Sequence, residues 1–208
     1  MCTHRLLAVL AGGTLLMLIG TSCGAPAFAA AKATATPATR PMEKTLATFN
    51  TAAEVRRWST SSDVVMGGIS SSKAAVEVTG TLVFSGVVRL ENNGGFATIT
   101  GPAASRSGDD LSDFDSIALR VKGDGNIYQV WLYTSSRRLV HVARFTTTAG
   151  AWEEIVLPFD SFVTENGFGQ PVEAPKLRAP LVLGYRLLIS DKQKGPFRLD
   201  VDWIKAVA

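Results

Sequence analysis

From Thr45 to the C-terminus, apolar residues come in short runs with a period of two, and Gly, Asn, Asp and Pro interrupt the runs before most of them reach helical length. Successive side chains of a strand point to opposite faces, so this period fits half-buried strands. Ser116 to Lys122 shows it most clearly: Ile117, Leu119 and Val121 alternate with Ser116, Ala118, Arg120 and Lys122, and Gly123-Asp124-Gly125-Asn126 follows as a turn in which positive φ costs little. Tyr128 to Tyr133 resumes the alternation, and the pattern predicts further strands at Lys73–Val78, Thr81–Phe84, Val87–Glu91, Phe96–Thr100, Leu139–Phe145, Trp152–Leu157, Leu183–Ser190 and Phe197–Ile204. Only Ala52–Trp58 reads as a helix. Many short strands, one short N-terminal helix and no regular exchange of strand for helix predict an all-β chain folded as an antiparallel sandwich or barrel.

The 208 residues, 46% of them hydrophobic, suffice for one domain with a real core. Ahead of it, Arg5, the apolar run Leu6–Ile19 and the small residues of Ala27-Phe28-Ala29 have the order of a secretory signal over 1–29. The run is shorter than the roughly 20 residues that span a bilayer, and Gly12-Gly13 interrupts it. Thr21-Ser22-Cys23 offers a second exit, a lipoprotein signal ending in an acylated Cys23, although Gly20 stands where such signals place a branched aliphatic residue. Residues 30–44, rich in Ala, Thr and Pro, read as a disordered spacer, and 45–208 as the folded domain. The chain is thus expected to be exported, periplasmic or extracellular, with membrane attachment only through the signal or through Cys23.

Cys2 and Cys23 are the only cysteines, so the expected mature domain has no disulfide, no Cys nucleophile and no Cys-ligated zinc. The formal net charge of +3 falls to +2 when Arg5 leaves with the signal, and the cations are scattered in doublets such as Arg56-Arg57, which excludes a nucleic-acid footprint. His141, the one histidine after the signal, lies inside an expected strand without a visible partner, so no nucleophilic triad is predicted. Asp200 and Asp202 share a strand face and read as cross-strand partners of Lys or Arg; Asp63 with Glu91 is the other carboxylate pair. Gly123-Asp124-Gly125-Asn126 has oxygens for calcium but no calcium-loop spacing. No Gly-rich loop has a nucleotide-binding context. No catalytic residue, metal site or cofactor is predicted.

Four segments are more particular than turns require: Asp63-Val64-Val65-Met66-Gly67-Gly68-Ile69-Ser70, Leu90-Glu91-Asn92-Asn93-Gly94-Gly95-Phe96, Val121-Lys122-Gly123-Asp124-Gly125 and Ser190-Asp191-Lys192-Gln193-Lys194-Gly195-Pro196-Phe197. With Trp58 before the first and Leu157-Pro158-Phe159-Asp160-Ser161-Phe162 between the last two, the chain from about 46 to 206 resembles the complex I intermediate-associated protein 30 family. The resemblance implies a galactose-binding-like jelly-roll sandwich. It also implies a non-enzymatic binding protein, since the founding members are mitochondrial assembly factors that hold partly built complex I. The expected partner is a protein.

Two sets of binding candidates follow from the residues. Asp63, Glu91, Asn92 and Asn93, beside Gly67-Gly68 and Gly94-Gly95, either satisfy backbone N–H groups in tight turns or meet at one end of the sandwich as a pocket. If Tyr128, Val130 and Leu132 point inward, then Gln129, Trp131 and Tyr133 face outward, beside Arg120 and Lys122 of the preceding strand. Such an aromatic and polar face suits a protein partner first and a glycan second, or else forms a further core layer under a loop.

Overall fold

The computed structural model describes residues 42–102, 110–136 and 138–208. The expected signal, including Cys23 and Ala27–Ala29, and the spacer up to residue 41 lie outside the described residues.

Two antiparallel sheets of six strands face each other. The first runs β3 (Ser71–Val76), β4 (Leu82–Val88), β12 (Gly195–Val207), β6 (Ser116–Lys122) and β9 (Trp152–Pro158), with β1 (Glu43–Thr48) also on β12. The second runs β10 (Val163–Asn166), β8 (Leu139–Thr146), β7 (Ile127–Tyr133), β11 (Gly184–Ile189), β5 (Ala97–Thr100) and β2 (Ser59–Ser62). The 13 residues of β12 let it take β4 along Gly195–Val201 and β1 along Trp203–Val207. A shift in the β12–β6 register between Val201 and Trp203 bends the strand there.

The period of two buries one face of each sheet. Leu82, Phe84, Leu119, Val121, Leu199 and Val201 from the first sheet join Ile99, Tyr128, Val130, Leu132, Leu187 and Ile189 from the second in one core. Trp58 closes one end, with ring centroids 5.4 Å from Phe49 and 5.6 Å from Tyr185. The sandwich therefore holds by apolar burial between sheets.

The predicted elements differ from the observed ones in specific places. The strands expected at Thr81–Phe84 and Val87–Glu91 merge into one, β4, because Ser85 and Gly86 stay in register with Arg198 and Phe197, and it ends at Val88, before the turn that begins at Glu91. The helix is a single capped turn, α1 (Ala52–Val55), where Thr51 Oγ1 accepts from the Glu54 N–H and Glu54 Oε2 from the Thr51 N–H. β2 and β10 lack apolar alternation and are held by their neighbours. β1 begins inside the expected spacer, with Glu43 opposite Val207, so residues 43 and 44 belong to the sandwich.

One consequence corrects the expected binding face. β6 and β7 lie in different sheets, so the turn after Lys122 crosses the sandwich and does not close a hairpin. Asp124 secures that crossing by accepting from the Tyr128 hydroxyl at 3.1 Å and the Arg198 N–H at 2.7 Å. Burial and then the Asp124 charge raise the Tyr128 pKa. Arg120 and Lys122 consequently lie on the first sheet, away from Gln129, Trp131 and Tyr133.

Candidate functional site

The site begins with a buried carboxylate. Asp63 is 0% exposed and accepts from the Ser70 N–H and hydroxyl, the Gly95 N–H at 2.6 Å and the Phe96 N–H at 3.4 Å. Burial pushes its carboxyl pKa up, but the hydrogen bonds from Ser70, Gly95 and Phe96 more than offset this, and it titrates below the ordinary range. The two glycine pairs around it divide their tasks. A Cβ on Gly68 or Gly94 would overlap the Asp63 carboxylate, whereas Gly67 and Gly95 have φ of 88° and 136°. Asp63 therefore does not face a ligand, as one reading of the sequence had it: it locks two loops together. Asn92 adds a tie by donating its side-chain amide to the Gly67 carbonyl at 3.1 Å.

Those loops frame a cleft of about 260 Å³ over the outer face of the second sheet. Asn93, Gly94 and Gly95 form one wall, Ser190 to Lys192 another, and Phe168 and Gly169 a third, above a floor of Gln129, Trp131, Arg144 and Glu165. Asn92, Asn93, Asp191 and Lys192 all adopt left-handed backbone, with φ of 57–59°, and among the described residues no other non-glycine does so. Such conformations persist where surrounding structure over-determines them, and they concentrate at functional loops. Glu91 links the first two walls through Lys194 at 3.6 Å and Arg89 at 3.5 Å, and these charges hold its pKa down after its own backbone N–H does so.

The floor is one hydrogen-bonded chain. The Trp131 indole N–H donates to Gln129 Oε1 at 2.7 Å, and Gln129 Nε2 donates to Ser190 Oγ at 2.9 Å and Asp191 Oδ2 at 2.7 Å. Arg144 reaches the same Asp191 oxygen at 3.3 Å and Glu165 Oε1 at 2.8 Å. Beside this chain, Arg186 lies over the Tyr133 ring at 5.1 Å and the Trp131 ring at 5.9 Å, and donates to Thr100 at 2.9 Å. Two polar atoms on this face are buried without a hydrogen-bond partner, Tyr133 Oη and Glu165 Oε2. Burial pushes the Tyr133 pKa up to about 12.

Two of the turns carry exposed apolar side chains. Phe168 is 91% exposed at the tip of the β10 turn, and Val64, Val65 and Met66 are 59%, 74% and 65% exposed on the turn that Asp63 anchors. Large side chains held open by a rigid base are what protein interfaces use as anchors.

The remaining candidates lie elsewhere. Arg120 pairs with Asp202 at 3.3 Å and packs against Trp152; Lys122 and Arg198 pair with buried Asp200 at 3.0 and 2.7 Å. Arg120–Asp202 and Lys122–Asp200 are cross-strand pairs of the kind expected of these aspartates, whereas Arg198 reaches Asp200 within β12. His141 is buried, accepts or donates at Nδ1 to Thr164 at 3.0 Å, and has its pKa lowered by burial. Among the described residues, no group of three or more His, Cys, Asp or Glu is placed to hold a metal ion, and no helix is long and apolar enough to cross a membrane.

The sequence model for complex I intermediate-associated protein 30 matches residues 47–201. The chain belongs to the complex I intermediate-associated protein 30 family. A relative from Mus musculus, "Complex I intermediate-associated protein 30, mitochondrial", is 30% identical over 102 residues, covering 46% of this chain and 31% of the mouse protein. The matched stretch thus spans less than a third of that relative's length.

The galactose-binding-like jelly roll expected of the family is also that of two solved structures from Clostridium thermocellum. The family 11 carbohydrate-binding module of a cellulosomal cellulase superposes with a TM-score of 0.57 at 20% identity, over 82% of this chain and 96% of the module. The same family of module in complex with a β-1,3-1,4-mixed-linked tetrasaccharide gives 0.55 at 20% identity, over 80% and 95%. At that identity the likeness is one of fold. Within this family fold, parity alone places Gln129, Trp131 and Tyr133 outward as expected. It could not reach Arg144, Glu165 and Phe168, which join them only through the β7–β8–β10 register.

Proposed function

We propose that this protein is an exported, non-catalytic binding module that grips a protein partner at the cleft on its second sheet. The observation that carries this reading is exposed apolar surface. Phe168 stands exposed at the cleft, and Val64, Val65 and Met66 stand exposed on the Asp63-anchored turn, whose Gly67 carbonyl is bonded by Asn92, next to the cleft wall at Asn93. A glycan site needs the polar floor and an aromatic platform; it has no use for an aliphatic turn beside them. The name of the mouse relative, which associates that protein with an intermediate of complex I, supports association with an intermediate of a larger complex as the setting.

Co-purification from the cells of origin tests the reading. A protein partner retained by the wild type is lost with Met66→Asp or Phe168→Ala and kept with Val156→Asp, which lies on the exposed outer side of the first sheet. Retention by all three variants would contradict it. The second reading, a glycan, is favoured by the Trp131–Tyr133 strip and by the fold shared with the tetrasaccharide-bound module. Calorimetry with that mixed-linked tetrasaccharide is expected to show no binding. Saturable binding abolished by Trp131→Ala would give the cleft to a glycan. Export is tested separately by mass spectrometry of the mature protein, with an N-terminus expected near Ala30; an acylated Cys23 would replace free export with membrane tethering.

A further inference from the structure

Building on that reading, we infer that the cleft takes a basic side chain of the partner, an arginine whose guanidinium donates to Glu165 Oε2 while its plane rests against Phe168. Glu165 is only 2% exposed, and its carboxylate is half answered: Arg144 bonds Oε1, and no protein donor reaches Oε2. A buried acceptor without a donor is costly, and more so when it is charged.

The charge balance of the floor points the same way. One guanidinium, Arg144, serves two carboxylates, Glu165 and Asp191, and the amide of Gln129 adds a neutral donor to Asp191. Lys192 also lines the cleft and makes the four lining charges balance in number, but it is exposed and joins neither carboxylate in an ion pair, so Arg144 alone answers both. A neutral polyol would satisfy the acceptor and leave Arg144 shared between the two carboxylates; a cation supplies both the donor and a second charge. Among cations, a guanidinium can donate in its plane while its face lies on an aromatic ring, which an ammonium cannot do.

Oε2 is buried beside the Gly167-Phe168-Gly169 tip. Gly169 lies against that oxygen, since a Cβ built there would come to 3.9 Å from Oε2, while around Gly167 nothing lies within 4 Å of its Cβ position. A tip with glycine on both sides of Phe168 can shift outward to admit a side chain and bring the ring onto its stem. The floor then reports the event, because Asp191, Gln129 and the Trp131 indole are bonded in series.

The test uses the full chain and two small probes, N-acetyl-arginine methylamide and its neutral isostere N-acetyl-citrulline methylamide, followed by the indole and side-chain amide signals of Trp131 and Gln129 in ¹⁵N NMR. The arginine probe should shift both signals saturably, and the citrulline probe should bind roughly tenfold more weakly or not at all. Glu165→Gln should remove that preference, and Phe168→Ala, a change at an exposed tip, should weaken the arginine probe severalfold while leaving the fold intact. Equal shifts from both probes, or no shift from either, would overturn the inference. The probe comparison decides the matter even if Glu165→Gln fails to fold. Partner capture that survives Glu165→Gln but is lost with Met66→Asp would sink the arginine site alone; capture that survives Met66→Asp and Phe168→Ala would sink the protein-binding reading beneath it.

Discussion

The outer faces of the two sheets are built from similar residues and end in different states. On the first, Trp152 lies under Arg120 at 5.5 Å and Lys122 at 5.2 Å, and Trp203 under Lys205 at 4.5 Å. Each of those cations has a carboxylate partner: Asp202 for Arg120, Asp200 for Lys122 and Glu43 for Lys205. On the second, Trp131 also has an arginine beside it, but its indole N–H enters a chain that ends at an unanswered oxygen of Glu165. Loops from three parts of the sequence overhang that end. Aromatic and charged residues on a sheet do not by themselves make a site. What distinguishes the second face is that one oxygen of its buried Glu165 has no protein donor and that loops overhang it.

Removing the clamp should have the largest effect. Asp63→Ala leaves the Ser70 and Gly95 donors buried without an acceptor and should cost about 3–5 kcal/mol in denaturant unfolding. Because the folded pKa of Asp63 is lowered, its contribution is complete above the unfolded carboxylate value near pH 4 and is lost as pH falls further, through the folded pKa. The melting temperature should accordingly drop in that acid range, and Asp63→Asn should flatten the drop. A melting curve with the same acid dependence in both proteins would show that other carboxylates govern it.

Gly94→Ala comes next. The new methyl meets the Asp63 carboxylate, so about 1–3 kcal/mol should be lost. Gly67→Ala meets nothing and bears only the strain of φ at 88°, about 1 kcal/mol. Equal losses at the two positions would mean that φ, and not the carboxylate, dictates both glycines.

The faces themselves come last. Trp131→Ala is half-buried and should cost about 1–2 kcal/mol, well under the roughly 2–5 kcal/mol of Leu119→Ala in the core. Phe168→Ala should fall within about 0.5 kcal/mol of wild type because its side chain touches solvent. If Trp131→Ala melts as early as Leu119→Ala, the second face is a core layer and the contrast between the two faces disappears.

Much of the fold was legible because alternation is a local property. Ile117, Leu119 and Val121 declare their strand and its inward face without reference to anything distant, and so do Tyr128, Val130 and Leu132. The four motif segments also stood out. That Asn93–Phe96 and Ser190–Lys192 share a cleft did not, because it depends on which sheet each strand joins. Gly123–Asn126 looks like a hairpin turn, and only the pairing of β6 with β12 and of β7 with β11 shows that it crosses the sandwich and sends Arg120 to the other face. Glu165 and Phe168 were silent for a different reason: the four residues of β10 are too few and too polar to show a period. Asp63 was visible as a candidate, but its burial follows from long-range bonds to Gly95 and Phe96.

The four tryptophans allow the most direct measurement, since Trp58 is in the core, Trp131 in the cleft, and Trp152 and Trp203 on the opposite face. In the ¹⁵N indole spectrum of the full chain, adding the co-purified partner should move the Trp131 signal and leave those of Trp152 and Trp203 in place. Movement of Trp152 or Trp203 with Trp131 unchanged would contradict the assignment of binding to the second sheet.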